Sequence, residues 1–141
     1  MLKPDLLTGT ALGRWCYENP NLAATTIEGL RHGSRALDDI AAERKRHIEV
    51  EGWTPEHDDA HSNGEMAIAA ACYATAPPMV SIEREWVPPD KPKTWPWHFS
   101  WWKPGFRRRN LVKAGALIVA EIERLDRRIS ERESAGKPVE K

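Results

Sequence analysis

The sequence predicts an all-α protein: a small antiparallel bundle of three main helices and a weaker N-terminal helix, crossed by an ordered loop rich in tryptophan and proline. Three observations predict this class. Apolar residues recur every three or four positions across residues 108–132. An alanine-rich run at 64–76 ends at two prolines. Residues 77–106 hold seven prolines and five of the seven tryptophans, which is too much tryptophan for a disordered linker.

The two ends of the chain are predicted to be less regular than its middle. Residues 1–20 contain four helix breakers and are expected to be irregular. A helical pattern begins at Asn21, but two glycines weaken it. We therefore expect a single helical domain over residues 21–132, followed by a flexible tail over 133–141.

The first main helix is expected to begin after Ser34 and to end before Gly52. Serine is a favoured N-cap residue, and glycine is typical of the position just beyond a helix. The apolar residues between them trace one helical face: Leu37, Ile40, Ala41 and Ile48.

The second helix, over residues 64–76, is expected to be capped by Ser62 or Asn63 and to be stopped by prolines. Residues 79–87 could form one short strand, but a lone strand has no partner, so the segment 77–106 is assigned to the ordered loop. The last helix is predicted from Arg108 to about Arg132. Its apolar stripe comprises Leu111, Ala114, Gly115, Ile118, Ile122, Leu125 and Ile129.

Composition limits the classes of function. The 141 residues include 21 basic and 21 acidic side chains, so no overall field attracts nucleic acid or an anionic membrane. Cys16 and Cys72 lie far apart without metal-type spacing, which favours a reduced setting. No apolar run resembles a signal peptide or a membrane span. We therefore expect a cytoplasmic location, no membrane partner and no polymeric nucleic acid.

Three charged residues fall on or beside apolar helical faces, namely Arg44, Glu65 and Glu121. A buried charge without a partner costs several kcal/mol, so these groups need counter-charges. They could form a structural pair, Arg44 with Glu121 or with Glu65, or they could line a cleft.

The stretch "EGWTPEHDDAHSNGE", residues 51–65, concentrates potential ligands and proton carriers before the second helix. Imidazole and carboxylate groups suit zinc, manganese or iron. The same aspartates could instead charge a helix N-terminus, or hydrogen-bond a ligand. The metal set predicted on this basis is Asp58, Asp59, Glu65 and Glu121; otherwise no cofactor is expected.

A second candidate site combines tryptophans with the basic start of the last helix. Free N–H groups and arginines at a helix N-terminus can bind phosphate or carboxylate, and indoles can stack a base. The alternative is a tryptophan mini-core beside solvated arginines. The predicted ligand-binding residues are Arg44, Trp53, His57, Asp58, Trp95, Trp97, Trp101, Trp102, Arg108 and Lys113.

The stretches "ERKRHIEVEGWTPEHDDAHSNGEMAIAAACYA", "WPW", "WWKP" and "RRRNLVKAGALIVAEIERLDR" resemble an uncharacterised family of small proteins of tailed phages and prophages. The family pattern is E-R-x-R-x(4)-E-G-W-T-x-x-H-D-D, then G-E-L/M-A-x-A-A-x-x-Y-A, a tryptophan-rich loop and L-V-K-A-G-A-L-I-x-A-E-I-E-R-L-D-R. The resemblance covers residues 42–127, and this chain has His47 where the family usually has glutamine. It implies phage origin and a role in the host cell, but no particular activity. Small accessory phage proteins often bind host factors or sequester immune-signal nucleotides.

Three functional hypotheses follow. The first is a protein that binds a small anionic ligand, such as a nucleotide or signal nucleotide, and thereby counteracts host defence. The second is a metal-dependent nucleotide hydrolase with His57 as acid or base. Glu123 and Asp126 resemble the ExxD pair of all-α nucleotide pyrophosphatases, although the EExxE-type partner is missing. The third is an interaction protein that binds a host factor through exposed tryptophans. Whether the chain is an enzyme, and whether it forms a homodimer, stays open.

Overall fold

Residues 34–138 form four helices and one small hairpin. The computed structural model describes residues 14, 17–21 and 34–138. Within residues 34–138 the order is α1 (Arg35–Glu49), α2 (Pro55–Asp59), α3 (Glu65–Ala74), β1 (Val80–Ile82), β2 (Glu85–Val87), a 3₁₀ turn (Phe99–Trp101) and α4 (Arg107–Ser134). The described residues are therefore mostly helical, with one small two-stranded sheet.

The chain divides into two units, Met1–Asp38 and Asp39–Lys141. The predictions of an irregular segment over 1–20 and of a weak helix from Asn21 fall largely outside the described residues. Residues 14, 17, 18, 20 and 21, which are described, have helical backbone. The core and the cavities discussed below lie in the second unit.

Helix α1 begins and ends as predicted. The Ser34 hydroxyl accepts a hydrogen bond from the Leu37 N–H at 3.4 Å, which satisfies one free donor of the first turn. Gly52 adopts a φ of +72°, a left-handed conformation that glycine tolerates without a steric penalty. The chain reverses there, and the Trp53 N–H donates to the His47 carbonyl at 2.9 Å.

The predicted apolar face of α1 is not its buried face. Leu37 is 62% exposed and Ile48 is 39% exposed. The buried side chains of α1 are instead polar: Glu43, Arg44 and His47. The two charged groups can be buried because opposite charges compensate them: Asp58 and Glu123 contact Arg44, and Arg46 and Arg109 contact Glu43.

The core forms where α3 packs against α4. Helix α3 supplies small side chains together with Tyr73, and α4 supplies Ala114 and Leu117. The predicted cap by Ser62 or Asn63 is wrong: the N-cap position of α3 is Gly64, whose φ is +79° and which makes no side-chain cap. The core residues are Ala69, Ala70, Cys72, Tyr73, Trp95, Ala114 and Leu117.

Helix α4 matches its predicted span closely, but its predicted apolar stripe is largely exposed. Four residues of that stripe remain accessible: Leu111, Ile118, Ile122 and Leu125. The face that is buried consists mainly of small residues and includes Asn110 and Arg124. Alanines are buried because they allow α3 to approach closely. No helix in the described ranges has the length and apolarity needed to cross a membrane.

Two further elements were not predicted. Residues 55–59 form α2, a single helical turn that Thr54 caps by accepting the His57 N–H at 3.4 Å, with Pro55 at the first position. The segment 80–87 is an antiparallel hairpin rather than an unpaired strand, and Val80 pairs with Val87. Both α2 and the hairpin are short, which is why their sequence signals are weak.

The tryptophan-rich segment is ordered and packs on the helices, as predicted. Trp102 stacks on Tyr73 with ring centroids 4.9 Å apart, and Trp95 meets both rings edge-on. The Trp102 N–H donates to the Pro89 carbonyl at 3.0 Å. Trp95 and Trp102 therefore serve as core residues.

Candidate functional site

A cavity of about 250 Å³ lies between the four helices and the tryptophan-rich segment. This volume lies just below the typical range for drug-sized ligands, roughly 300–1,000 Å³, so the cavity suits a small molecule. Its wall combines aromatic rings, one ion pair and a few aliphatic groups. The lining residues are Arg44, His47, Trp53, His57, Asp58, His61, Met66, Trp97, His98, Trp101, Leu117 and Ala120.

Trp53 is the centre of the aromatic wall. Its ring lies parallel to that of His57, with an interplanar angle of 6° and centroids 6.0 Å apart. It also contacts the rings of His47, Trp97 and Trp101, with centroids 4.7, 6.5 and 5.9 Å away. A planar ligand that enters the cavity therefore meets several π-faces and ring edges.

One side of the cavity is a buried ion pair. Arg44 Nη2 lies 2.7 Å from Asp58 Oδ2, and the two side chains are 6% and 3% exposed. Arg44 also donates from Nε to Glu123 Oε2 at 2.9 Å. Two carboxylates thus face one guanidinium, so this end of the cavity carries no excess positive charge.

Three lining residues carry a buried nitrogen without a hydrogen-bond partner. They are Arg44 at Nη1, His47 at Nδ1 and Trp97 at Nε1; among the described residues the only other such atom is Arg124 Nη1. Leaving a buried polar group unpaired costs about 1–3 kcal/mol, and most such groups in folded proteins are satisfied. Three of the four such atoms therefore belong to residues that line one cavity.

His47 is held neutral. Burial lowers its pKa from 6.5 to about 4, although the nearby Glu43 carboxylate opposes the shift. His47 Nε2 lies 3.5 Å from Glu43 Oε1. If Nε2 carries the proton, Nδ1 is an acceptor, while Trp97 and Arg44 offer donors. The cavity can then recognise a ligand edge that both donates and accepts.

A smaller cavity of about 50 Å³ shares one aromatic wall with the larger one. Glu43 lies beside it and accepts from Arg46 at 3.0 Å and from Arg109 at 2.6 Å. Burial raises the pKa of Glu43, but these hydrogen bonds outweigh burial and lower it to about 2. The lining residues common to both cavities are His47, Trp53, Trp97, Trp101 and Leu117.

Lys113 lines the smaller cavity from α4. Its ammonium group donates to the Lys103 carbonyl and lies 5.2 Å from the Tyr73 ring centroid. Burial lowers the pKa of Lys113, and the positive charge of Arg109 adds to that effect. Lys103 lies nearby, with its ammonium group 5.4 Å from the Trp101 ring centroid.

Most of the predicted ligand-binding residues come together. Six line the larger cavity: Arg44, Trp53, His57, Asp58, Trp97 and Trp101. Trp95 and Lys113 line the smaller one. Trp102 packs in the core, and Arg108 lines neither cavity; it pairs with Asp39 at 2.6 Å on an exposed surface.

The predicted anion seat at the start of α4 does not hold free arginines. Arg107 donates to the Ala74 carbonyl, Arg108 pairs with Asp39, and Arg109 pairs with Glu43. All three arginines therefore already have hydrogen-bond or ion-pair partners within the protein.

The four predicted metal ligands each have a separate partner. Asp58 binds Arg44 and Asp59 binds Arg127 at 2.7 Å. Glu65 accepts from the Asn63 N–H, and Glu121 pairs with Arg124, so neither forms the pair expected with Arg44. Over residues 14, 17–21 and 34–138, no cluster of three or more His, Cys, Asp or Glu side chains is arranged to hold a metal ion. A metal-dependent hydrolase stays a prediction.

Sequence reasoning missed part of the cavity wall. His47, His61 and His98 line the larger cavity but were not among the predicted ligand-binding residues. His61 lies within the stretch 51–65 that the sequence singled out, which offered a signal, and its ring lies 5.0 Å from that of His57. His98 follows the "WPW" stretch directly, which could have pointed to it.

Comparison of the chain with known protein families, with curated proteins and with solved structures finds no match.

Proposed function

We propose that this protein binds a small, planar, polar molecule in the larger cavity, with a nucleobase as the kind of ring that fits it. The observation that carries the proposal is the set of three buried, unpaired nitrogens on Arg44, His47 and Trp97. A nucleobase has flat π-faces for the indoles and edge atoms that both donate and accept. The cavity volume of about 250 Å³ favours a mononucleotide or smaller ligand over a dinucleotide.

The charges in the larger cavity favour a neutral ring over an anionic group there. Arg44 already faces Asp58 and Glu123, and burial keeps His47 neutral. A phosphate placed beside Arg44 would meet two carboxylates and would be repelled. An anionic ligand would therefore insert its ring, not its charge, into this cavity.

The test uses neutral probes, namely uracil, uridine, adenosine and guanosine. Binding is measured as a rise in the unfolding midpoint and as a change in tryptophan fluorescence, because three indoles line the cavity. We expect at least one probe to stabilise the protein. The absence of any shift with all four at millimolar concentration would contradict the proposal.

The matched variants are Trp97→Phe and Trp86→Phe. Trp97→Phe keeps an aromatic ring but removes the unpaired N–H, so affinity for the bound probe should fall about tenfold. Trp86 is 57% exposed on the hairpin and lines neither cavity, so its replacement should leave affinity unchanged. Equal effects of the two variants would count against a role for the cavity.

The biological setting is also a proposal. We propose that the protein is a phage-encoded accessory protein of the host cytoplasm that captures a nucleotide-like signal and so counteracts host defence. A host protein could be a further partner, because Trp86, Phe99 and Trp101 have exposed rings. A pull-down from host lysate with and without Trp101→Ala would test that second role.

We further propose that α1, α3 and α4 form an antiparallel bundle. The contact between α3 and α4 supports this arrangement. So does the close approach of Ile40 on α1 to Gly115 on α4.

A further inference from the structure

Lys113 differs from the other basic residues beside the smaller cavity. Arg46 pairs with Glu43 and Glu51, and Arg109 also pairs with Glu43. Within the described ranges, no carboxylate lies within ion-pair distance of Lys113 or of Lys103. Lys113 is nevertheless half-buried, and among the described residues only one acceptor, the Lys103 carbonyl, meets its three N–H donors.

The two cavities differ in charge. Three cations line the smaller cavity, Arg46, Lys103 and Lys113, against the carboxylates of Glu43 and Glu51. This leaves a net positive charge there. At the larger cavity the charges of Arg44 and Asp58 cancel, and Glu123, which does not line the cavity, also contacts Arg44. An anion that enters the site is therefore drawn to the Lys113 end.

The size of the smaller cavity limits what can fill it. One water needs about 10–15 Å³ of such space, so about 50 Å³ accommodates a group of a few heavy atoms. A phosphate or a carboxylate meets that limit, whereas a second aromatic ring does not. The two cavities have five lining residues in common, so they lie side by side.

We propose that the smaller cavity is an oxyanion subsite in which the ammonium groups of Lys113 and Lys103 bind the phosphate or carboxylate of the ligand whose ring occupies the larger cavity. The inference rests on the ring-binding function proposed above. It makes the ligand a planar heteroaromatic compound with one oxyanion, and it assigns the two ends of that ligand to separate cavities.

The experiment compares probes that differ only in the oxyanion. Uridine and uridine 5′-monophosphate test a phosphate; uracil and orotate test a ring carboxylate. Affinities are measured by calorimetry for the wild type, Lys113→Met and the control Lys45→Met, which alters an exposed lysine on α1. We expect the anionic member of at least one pair to bind about tenfold more tightly, and Lys113→Met alone to abolish that preference.

Several results would overturn the inference while leaving the ring site intact. The neutral and anionic probes could bind the wild type equally, or Lys113→Met could weaken both members of a pair alike. A lowered unfolding midpoint of Lys113→Met with unchanged preference for the anion would assign Lys113 a structural role. We expect an unchanged or raised midpoint, since burial disfavours the charge.

If no ring probe binds, the proposed function fails and the subsite is tested alone. Inorganic phosphate is then titrated into the wild type while the side-chain carbon resonances of the lysines are followed by NMR. Saturable shifts at Lys113 and Lys103, absent at Lys45, support the subsite. Shifts that are equal at all three lysines, or absent, overturn it.

Discussion

Replacing Arg44 with methionine should cost far more stability than the same replacement at Arg108. Both arginines contact an aspartate at nearly the same distance, 2.7 Å to Asp58 and 2.6 Å to Asp39. The side chains of the first pair are 6% and 3% exposed, and those of the second are 60% and 38% exposed. The two pairs therefore differ chiefly in burial, although Arg44 also contacts Glu123 at 2.8 Å. Methionine suits both because it is unbranched and apolar.

The magnitudes follow from what each variant leaves behind. Arg44→Met leaves the Asp58 carboxylate buried, with only the His57 ring nitrogen at 3.6 Å, so we expect a loss of about 3–5 kcal/mol. Arg108→Met removes an exposed pair, which is worth at most about 1 kcal/mol. A domain of this size is stable by roughly 5–15 kcal/mol, so the first loss is a large fraction of the total.

A second variant tests whether the loss of stability in Arg44→Met comes from the Asp58 carboxylate left without an ion-pair partner. Asp58→Asn leaves Arg44 in contact with Glu123 at 2.8 Å, so it should cost less than Arg44→Met. The double variant Arg44→Met/Asp58→Asn should recover part of the Arg44→Met loss, because no charge then stays buried.

The assay is urea unfolding at pH 7, followed by circular dichroism, with the slope of the transition checked in every variant. Losses below about 1 kcal/mol for both arginine variants would refute the reasoning, since that is the range of exposed pairs. Failure of the double variant to regain stability would show that packing, and not charge, sets the cost.

Three further predictions concern other buried positions. Because the pKa of His47 falls from 6.5 to about 4 on folding, the free energy of unfolding should be highest above pH 6.5 and should fall by about 3 kcal/mol as the pH falls toward 4. The variant His47→Gln should lack this pH-dependent loss. Identical curves of unfolding free energy against pH for the variant and the wild type would contradict the prediction. A Cβ at Gly115 would lie 2.7 Å from Ile40 Cδ1, so Gly115→Ala should destabilise the protein by about 1 kcal/mol. In an Ile40→Ala background, where that contact is absent, the same change should stabilise the helix. Urea unfolding of both variants measures the two effects. Asn110 is 1% exposed; its side chain accepts from the Gly105 N–H at 2.7 Å and donates to the Gly105 carbonyl at 2.9 Å. Asn110→Ala should lower the free energy of unfolding by about 2–3 kcal/mol. A loss under about 0.5 kcal/mol would show that water replaces both hydrogen bonds.

Helix α4 shows what periodicity can and cannot predict. Its existence and its ends follow from the sequence to within two residues, because apolar residues that recur every three or four positions over this length are typical of a helix. The buried face does not follow from the sequence, since the helix has two apolar faces, one of isoleucine and leucine and one rich in alanine. The alanine face is buried because α3 is itself rich in alanine, a fact about the partner helix that periodicity does not contain.

The candidate site, like α4, could be predicted only in part from the sequence. Charge on a helical face predicted that Arg44 needs a partner, and the structure confirms this. Its partner could not be predicted because Asp58 lies on α2, a one-turn helix with too few residues to show a period. Ion pairing at large sequence separation depends on chain topology, which local residue patterns do not specify.

The two neighbouring aspartates of α2 connect it to different helices. Asp58 reaches back to Arg44 on α1, while Asp59 reaches forward to Arg127 on α4. Successive helical residues are rotated by about 100°, so an insertion or deletion within Pro55–Asp59 would turn each carboxylate away from its own arginine. We therefore expect natural variants to substitute residues within α2 but to keep its length. A library of single-residue insertions should show that α2 tolerates insertion less well than the turn between β1 and β2.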